Sequence, residues 1–151
     1  MVKKSSTKLK SFKGINIIPN YCIVPRNKNI PETVIKSPED AVSLLRETSG
    51  SDRELLTVMY LDQRNRVLDI ATESVGGRSS AMVTPENIFR GALVRNASSI
   101  IMSHNHPSGD PSPSEDDKSS CRALKRVGKE LGIVVSDCLV IGKDGFTSFN
   151  D

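Results

Sequence analysis

The chain has 151 residues, 36% of them hydrophobic and 26% charged, with no tryptophan and a formal net charge of +3. That length holds one globular domain with a modest core and leaves no room for two full ones. No apolar run approaches the ~20 residues that span a bilayer, and INIIPN, the apolar stretch after the basic start, is short and broken by Pro19, so neither a membrane span nor a secretory leader is expected.

The charge is unevenly placed. Lys3, Lys4, Lys8, Lys10, Lys13, Arg26 and Lys28 precede Glu32 without a single acidic residue, and from Glu32 onward 14 basic residues face 18 acidic ones, a net charge of −4. Residues 1–36 therefore read as a basic tail, partly disordered and solvated; the sharper alternative is a weak contact of these seven cations with nucleic acid or another acidic partner. Cys22, Cys121 and Cys138 form neither a CxxC pair nor an even set, so they read as packing residues of a protein in a reducing cytoplasm.

Regular punctuation begins at Ser37 and continues to the C-terminus, which sets the domain at 37–151. SPED offers Ser37 as a helix cap, Pro38 at the first helical position and acids in the first turn, ahead of Ala41, Val42, Leu44 and Leu45 and a stop at Gly50. ELLTVMYLD and RVLDIATES, rich in β-branched and apolar residues and separated by QRN, predict two antiparallel strands. VGGRSS then breaks the pattern. TPENIFRGALVRNA opens on a similar start, Thr-Pro-Glu, and places Ile88, Phe89, Ala92 and Leu93 on one helical face.

SSIIMSHNH reads as a buried strand, because Ile100 and Ile101 point to opposite faces and both are apolar. In SPSEDDKSSCRALKRVGKELG, Ser112 is placed to cap, with Pro113 first and Glu115 three past the cap. The helix that follows carries an apolar stripe of Cys121, Leu124, Val127 or Gly128, and Leu131, and ends near Gly132. IVVSDCLVIG and FTSF, joined by KDG, predict a final hairpin. The order α-β-β-α-β-α-β-β implies an α/β fold, a mixed sheet flanked by helices.

The two histidines of the chain stand one residue apart at the end of the buried strand, so His104 and His106 project to one side. Two imidazoles so placed can meet one metal ion, although HxH in a polar loop is as readily a solvated pair. One turn before Cys121, Asp117 begins the inward face of the next helix, where a carboxylate is costly without a cation. A metal would supply that charge; the ordinary reading is an acid favoured by the helix dipole. Ser114, three residues earlier, turns its hydroxyl toward the same place. Two histidines and an aspartate leave a fourth tetrahedral position for water, as in catalytic zinc sites. Such a water needs a base that is not a ligand, and Glu54, at the head of LLTVMYL, is the acid placed to reach it. On spacing alone, an exposed glutamate at a strand edge stands ahead of that role.

His104-Asn105-His106-Pro107 followed by Ser114-x-x-Asp117 resembles the JAMM signature of the JAB/MPN zinc metallopeptidases, and PENIFRGALVRNASSIIMSHNHPSG resembles their RadC-like branch. The resemblance runs from about Ser37 to the end and is most specific in the His-x-His-Pro and Ser-x-x-Asp segment. It implies a cytidine-deaminase-like fold, one Zn2+ held by His104, His106 and Asp117, Ser114 stabilising a tetrahedral intermediate and Glu54 handling the proton. The implied activity is cleavage of a peptide or isopeptide bond by a zinc-activated water. A second reading keeps the metal site structural or vestigial, in an accessory protein that meets nucleic acid through the basic tail. Two departures stand out: the helix-hairpin-helix region that precedes the domain in longer members has no counterpart here, and Asp137-Cys138 replaces the branch's Asp-His, with Cys138 as a remote alternative ligand.

Other chemistries fit less well. A nucleobase deaminase requires His-x-Glu with Pro-Cys-x-x-Cys, and the zincins require His-Glu-x-x-His; neither occurs. Gly76-Gly77 lacks the Gly-Lys-Ser/Thr of a phosphate loop, and both histidines are taken by the metal reading rather than by a serine nucleophile. The Gly- and Ser-rich segments 74–81 and 107–113 are placed to flank a substrate.

Overall fold

The computed structural model describes residues 32–49, 52–75 and 84–150, together with a two-stranded ribbon of β1 (Ser11–Phe12) and β2 (Ile15–Asn16). The cationic residues Lys3, Lys4, Lys8, Lys10, Lys13, Arg26 and Lys28, as well as Cys22, Gly50 and Gly76-Gly77, lie outside the described residues. From Pro38 the order is α1 (Pro38–Ser49), β3 (Leu55–Leu61), β4 (Val67–Val75), α2 (Pro85–Val94), β5 (Ser99–Asn105), α3 (Glu115–Leu131), β6 (Val134–Ile141) and β7 (Phe146–Ser148). This is the order predicted from Ser37 onward.

The five long strands form one mixed sheet in the order β4-β3-β5-β6-β7. All neighbours are antiparallel except β5 and β6, which run parallel. A parallel pair needs a crossover, and α3 supplies it. The strand alternation sorts the apolar residues onto two faces. Val58, Tyr60, Ile100, Met102 and Val140 pack under α2 and α3, against Ile88, Phe89, Ala92 and Leu124. Met59, Leu61, Ile101, Leu139 and Ile141 pack against Ala41, Val42 and Leu45 of α1. Helices thus cover both faces, which is why β5 is buried along its whole length.

Local chemistry explains the helix ends. The Ser37 hydroxyl accepts from the Asp40 amide at 3.4 Å, and the Asp40 carboxylate accepts from the amides of Ser37 and Lys36 at 3.1 and 2.8 Å, the reciprocal cap that SPED predicts. Residues before Ser37 also join the fold: Val34 bridges to Arg66, and Ile35 enters the core beneath α1. At the far end of α3, Gly132 takes a left-handed conformation (φ 70°), while the Ile133 amide donates to the Gly128 carbonyl and the Gly132 amide to that of Lys129. This is a Schellman ending.

Three expectations change. Ser114, not Ser112, caps α3, and its reciprocal partner is Asp117 rather than Glu115. The sequence offers two overlapping frames, Ser112-Pro-Ser-Glu and Ser114-Glu-Asp-Asp, and the chain uses the later one. Leu93 and Leu131, assigned to inward faces, are 58% and 45% exposed. Each lies at the last turn of its helix, where the stripe continues but the sheet no longer lies beneath it.

The third change concerns the cysteines, two of which are not merely packing residues. Cys121 of α3 and Cys138 of β6 are joined in a disulfide, with Cα atoms 6.4 Å apart and both residues buried. The register of β6 makes this possible. Ile100 pairs with Val135 and Ile101 with Asp137, so Ser136 is an extra residue, a bulge that turns Cys138 onto the face that α3 covers. The cysteine pattern therefore no longer argues for a reducing compartment. Among the described residues, no helix is long and apolar enough to cross a membrane.

Gly128 lies where α3 packs tightly against Phe89 and the chain that leaves the helix. A methyl group there would overlap the Ile133 carbonyl oxygen and crowd the Phe89 ring at 3.2 Å. The obstructing atom belongs to the backbone of the helix ending itself, so it cannot swing aside. Gly128→Ala is expected to destabilise the chain by about 1–3 kcal/mol, the range for overpacking a filled core. A urea titration against wild type reads this as a lower midpoint at unchanged slope.

Candidate metal centre

Parallel strands feeding a crossover helix place their carboxyl ends in a crevice, and the site forms there, between the end of β5 and the start of α3. His104 lies within β5 on the face that α3 covers and is 5% exposed. His106 follows the strand end, where its amide donates to the Ile141 carbonyl at 3.1 Å. The imidazoles converge: Nε2 of His104 and Nε2 of His106 are 3.1 Å apart, and Nε2 of His104 is 3.2 Å from Oδ1 of Asp117. The other carboxylate oxygen of Asp117 is 3.8 Å from Nε2 of His106.

Asp117 is aimed by its own helix cap. Its Oδ2 accepts from the amide and the hydroxyl of Ser114, at 2.7 and 2.6 Å, and its amide donates back to the Ser114 hydroxyl at 3.1 Å. One carboxylate oxygen thus closes the capping box and the other turns to His104. His106 is aimed by the loop. Its Nδ1 lies 2.8 Å from the Asp110 carbonyl, an acceptor only, so Nδ1 carries the proton and the lone pair falls on Nε2.

The electrostatics favour the ligand forms. Burial is the main force holding the His104 imidazole below its ordinary pKa, with the like charge of His106 acting in the same sense; the carboxylates of Asp117 and Glu54 oppose it. A neutral imidazole is the form that binds metal. Burial by itself would raise the Asp117 carboxyl, but the two hydrogen bonds from Ser114 and the neighbouring histidines outweigh it and hold the group below the usual carboxylate range. It stays anionic at neutral pH.

His104, His106 and Asp117 each offer a ligand atom, and these atoms lie within 4.8 Å of one another. Tetrahedral coordination at about 2.0–2.1 Å sets neighbouring donors ~3.3 Å apart. The observed 3.1 and 3.2 Å lie close to that spacing, and the third pair, His106 and Asp117, is wider at 3.8 Å. Glu54 stands outside the ligand group. It is exposed, immediately before β3, and its charge bears on His104. The ladder between β3 and β5 pairs Leu56 with His104 and brings the two strand ends together. Cys138 is tied up in the disulfide and drops out as an alternative ligand.

Sequence reasoning missed the Asp110 carbonyl and the side chain of Asn105. The first acts through its backbone, which leaves no residue signature. Asn105 left one trace: a polar residue on the opposite face of a strand otherwise read as buried. The loop that carries Asp110 rests on the end of the sheet. Gly109 has a φ of 87°, its carbonyl accepts from the Lys143 amide at 3.0 Å, and a methyl group on Gly142 would overlap its oxygen. Gly142→Ala is therefore expected to displace the loop and weaken metal binding by about 10–100-fold, the usual cost of losing an outer partner of a ligand. Competition with a chromophoric chelator measures it, with circular dichroism as the control for folding.

Residues 35–151 match the RadC-like JAB domain. Among curated proteins, the chain is 42% identical over 123 residues to a UPF0758 protein of Moorella thermoacetica, covering 81% of this chain and 54% of that one. It is 36% identical over 129 residues to UPF0758 protein ABC2615 of Shouchella clausii (85% and 56%), and 37% over 122 residues to a UPF0758 protein of Methanosarcina mazei (80% and 53%). The chain spans about half the length of these relatives. With a matched segment that contains the mixed sheet, its three helices and the histidine–aspartate cluster, the chain belongs to the RadC-like JAB domain family.

Proposed function

We propose that this chain is a zinc-dependent metallohydrolase that cleaves an amide bond, in a peptide or an isopeptide. The observation that carries the reading is the convergence of three ligand atoms, two imidazole and one carboxylate, beside a carboxylate that is not a ligand. His104, His106 and Asp117 would hold the zinc ion, each already oriented by burial, by the Asp110 carbonyl or by the helix cap. When bound it would supply Lewis acidity and lower the pKa of water toward neutrality. Glu54 accepts the proton of the attacking water and returns it to the departing amine. The Ser114 hydroxyl, which donates to Asp117 at 2.6 Å, turns to the developing oxyanion.

Glu54→Gln separates this from other roles of the metal. Turnover of peptide and isopeptide probes is expected to fall by about 100-fold or more, while zinc content and thermal unfolding stay at wild-type values. A variant as active as wild type would remove Glu54 from the reaction. The same histidine and carboxylate donor set also suits ferrous iron, so metal analysis of the protein purified without a His tag is the accompanying measurement.

The charge separation supports a second reading: seven cations and no anion precede Glu32. In it the chain is an accessory protein that contacts nucleic acid through Lys3, Lys4, Lys8, Lys10, Lys13, Arg26 and Lys28. Deleting residues 1–31 would then abolish binding to a labelled oligonucleotide and leave the metal content unchanged.

A further inference from the structure

Between the two histidines, Asn105 points to the other face of β5 and is 4% exposed. A buried amide must satisfy both its donor and its acceptor, or it destabilises the fold. This one reaches across to the head of β3. Its Oδ1 accepts from the Leu55 amide at 2.7 Å, and its Nδ2 donates to the Arg53 carbonyl at 3.0 Å. The residue between those two backbone groups is Glu54. The paired ladder of β3 and β5 ends at Leu56 and His104, so beyond that point the Asn105 side chain takes over the role of strand pairing.

We infer that Asn105 is a positioning residue for Glu54, gripping the backbone on both sides of it and so fixing the carboxylate relative to the ligands on either side of Asn105. The inference rests on the role proposed above for Glu54. A carboxylate at the exposed start of a strand would otherwise move with the fraying end. Because Asn105 lies between His104 and His106, one side chain sets the separation between the base and the metal ligands. Alanine lacks both bonds. Aspartate keeps the acceptor for Leu55 and loses the donor to Arg53.

The test uses the full chain, labelled with 15N and 13C, as wild type, Asn105→Ala and Asn105→Asp. Without metal, amide exchange at Leu55 is expected to accelerate about tenfold in Asn105→Ala, the size of one lost hydrogen bond. Exchange at Val58 should stay at the wild-type rate, and the backbone order of Glu54, read by 15N relaxation, should fall. With zinc added, Asn105→Ala should bind it as wild type does, while the shift that zinc induces at the Glu54 carboxyl carbon becomes smaller. Asn105→Asp should fall between the two and serves if the alanine variant does not fold. Unchanged Leu55 exchange and unchanged Glu54 relaxation would overturn the inference. So would loss of zinc as severe as that of Asp117→Ala, since Asn105 would then act on the ligands and not on Glu54. If wild type binds no zinc, the hydrolase reading fails, and the metal-free comparison still decides whether Asn105 fixes Glu54.

Discussion

Asp117→Ala is expected to yield a folded chain that has lost its zinc. Wild type, purified without added metal or a His tag, should carry one zinc ion per chain by mass spectrometry. The alanine variant should carry almost none, with an affinity reduced by more than the ~100-fold that accompanies loss of an outer partner, because a charged ligand is gone. The variant also loses half of the capping box at the start of α3, where Asp117 accepts from the Ser114 amide and hydroxyl. That costs about 1 kcal/mol, a modest destabilisation beside the metal effect. His106→Ala leaves the cap intact and loses the bond to the Asp110 carbonyl; it should likewise lose zinc and remain folded in the metal-free state. Zinc retained by both variants, or absent from wild type after it is added back, would remove the metal centre and with it the proposed hydrolysis.

The second large effect is expected from the disulfide. Cys121 and Cys138 are separated by 17 positions. Closing a loop of roughly that size restricts the unfolded chain by about 3 kcal/mol on the chain-entropy estimate. Both cysteines are buried, at 2% and 0% exposure, so a reductant has no path to them in the folded state. The comparison therefore requires reduction in denaturant followed by refolding in tris(2-carboxyethyl)phosphine. The reduced chain should unfold at a clearly lower urea concentration than the oxidised one, and Cys121→Ala/Cys138→Ala should show no dependence on the reductant. Alkylation of the unfolded, unreduced protein should leave these two cysteines unmodified. Free thiols at both positions, or coincident unfolding curves, would contradict the bridge.

The element order was legible because its signals are local. Proline after serine or threonine marked the helix starts Pro38 and Pro85, and doubly apolar pairs such as Ile100 and Ile101 marked a strand covered on both faces. The convergence of His104, His106 and Asp117 was legible for the same reason: HxH on a strand and an acid one turn before a buried cysteine are short-range patterns. What failed depends on contacts that spacing does not encode. The periodicity that gave Leu93 and Leu131 an inward face says nothing of where the sheet stops. The choice of Ser114 over Ser112 as cap accompanies the turn of Asp117 toward His104. The pairing of Cys121 with Cys138 depends on the bulge at Ser136, one extra residue that reverses which face the rest of β6 presents.

The three candidate ligands come from one continuous stretch, residues 104–117, a strand end, a loop and a helix start, whereas Glu54 arrives from the head of β3, a neighbouring strand that is distant in sequence. In the proposed reaction, holding the ion and moving the proton would therefore fall to separate pieces of chain. One change at position 54 would then stop the proposed turnover and leave the three candidate ligands in place.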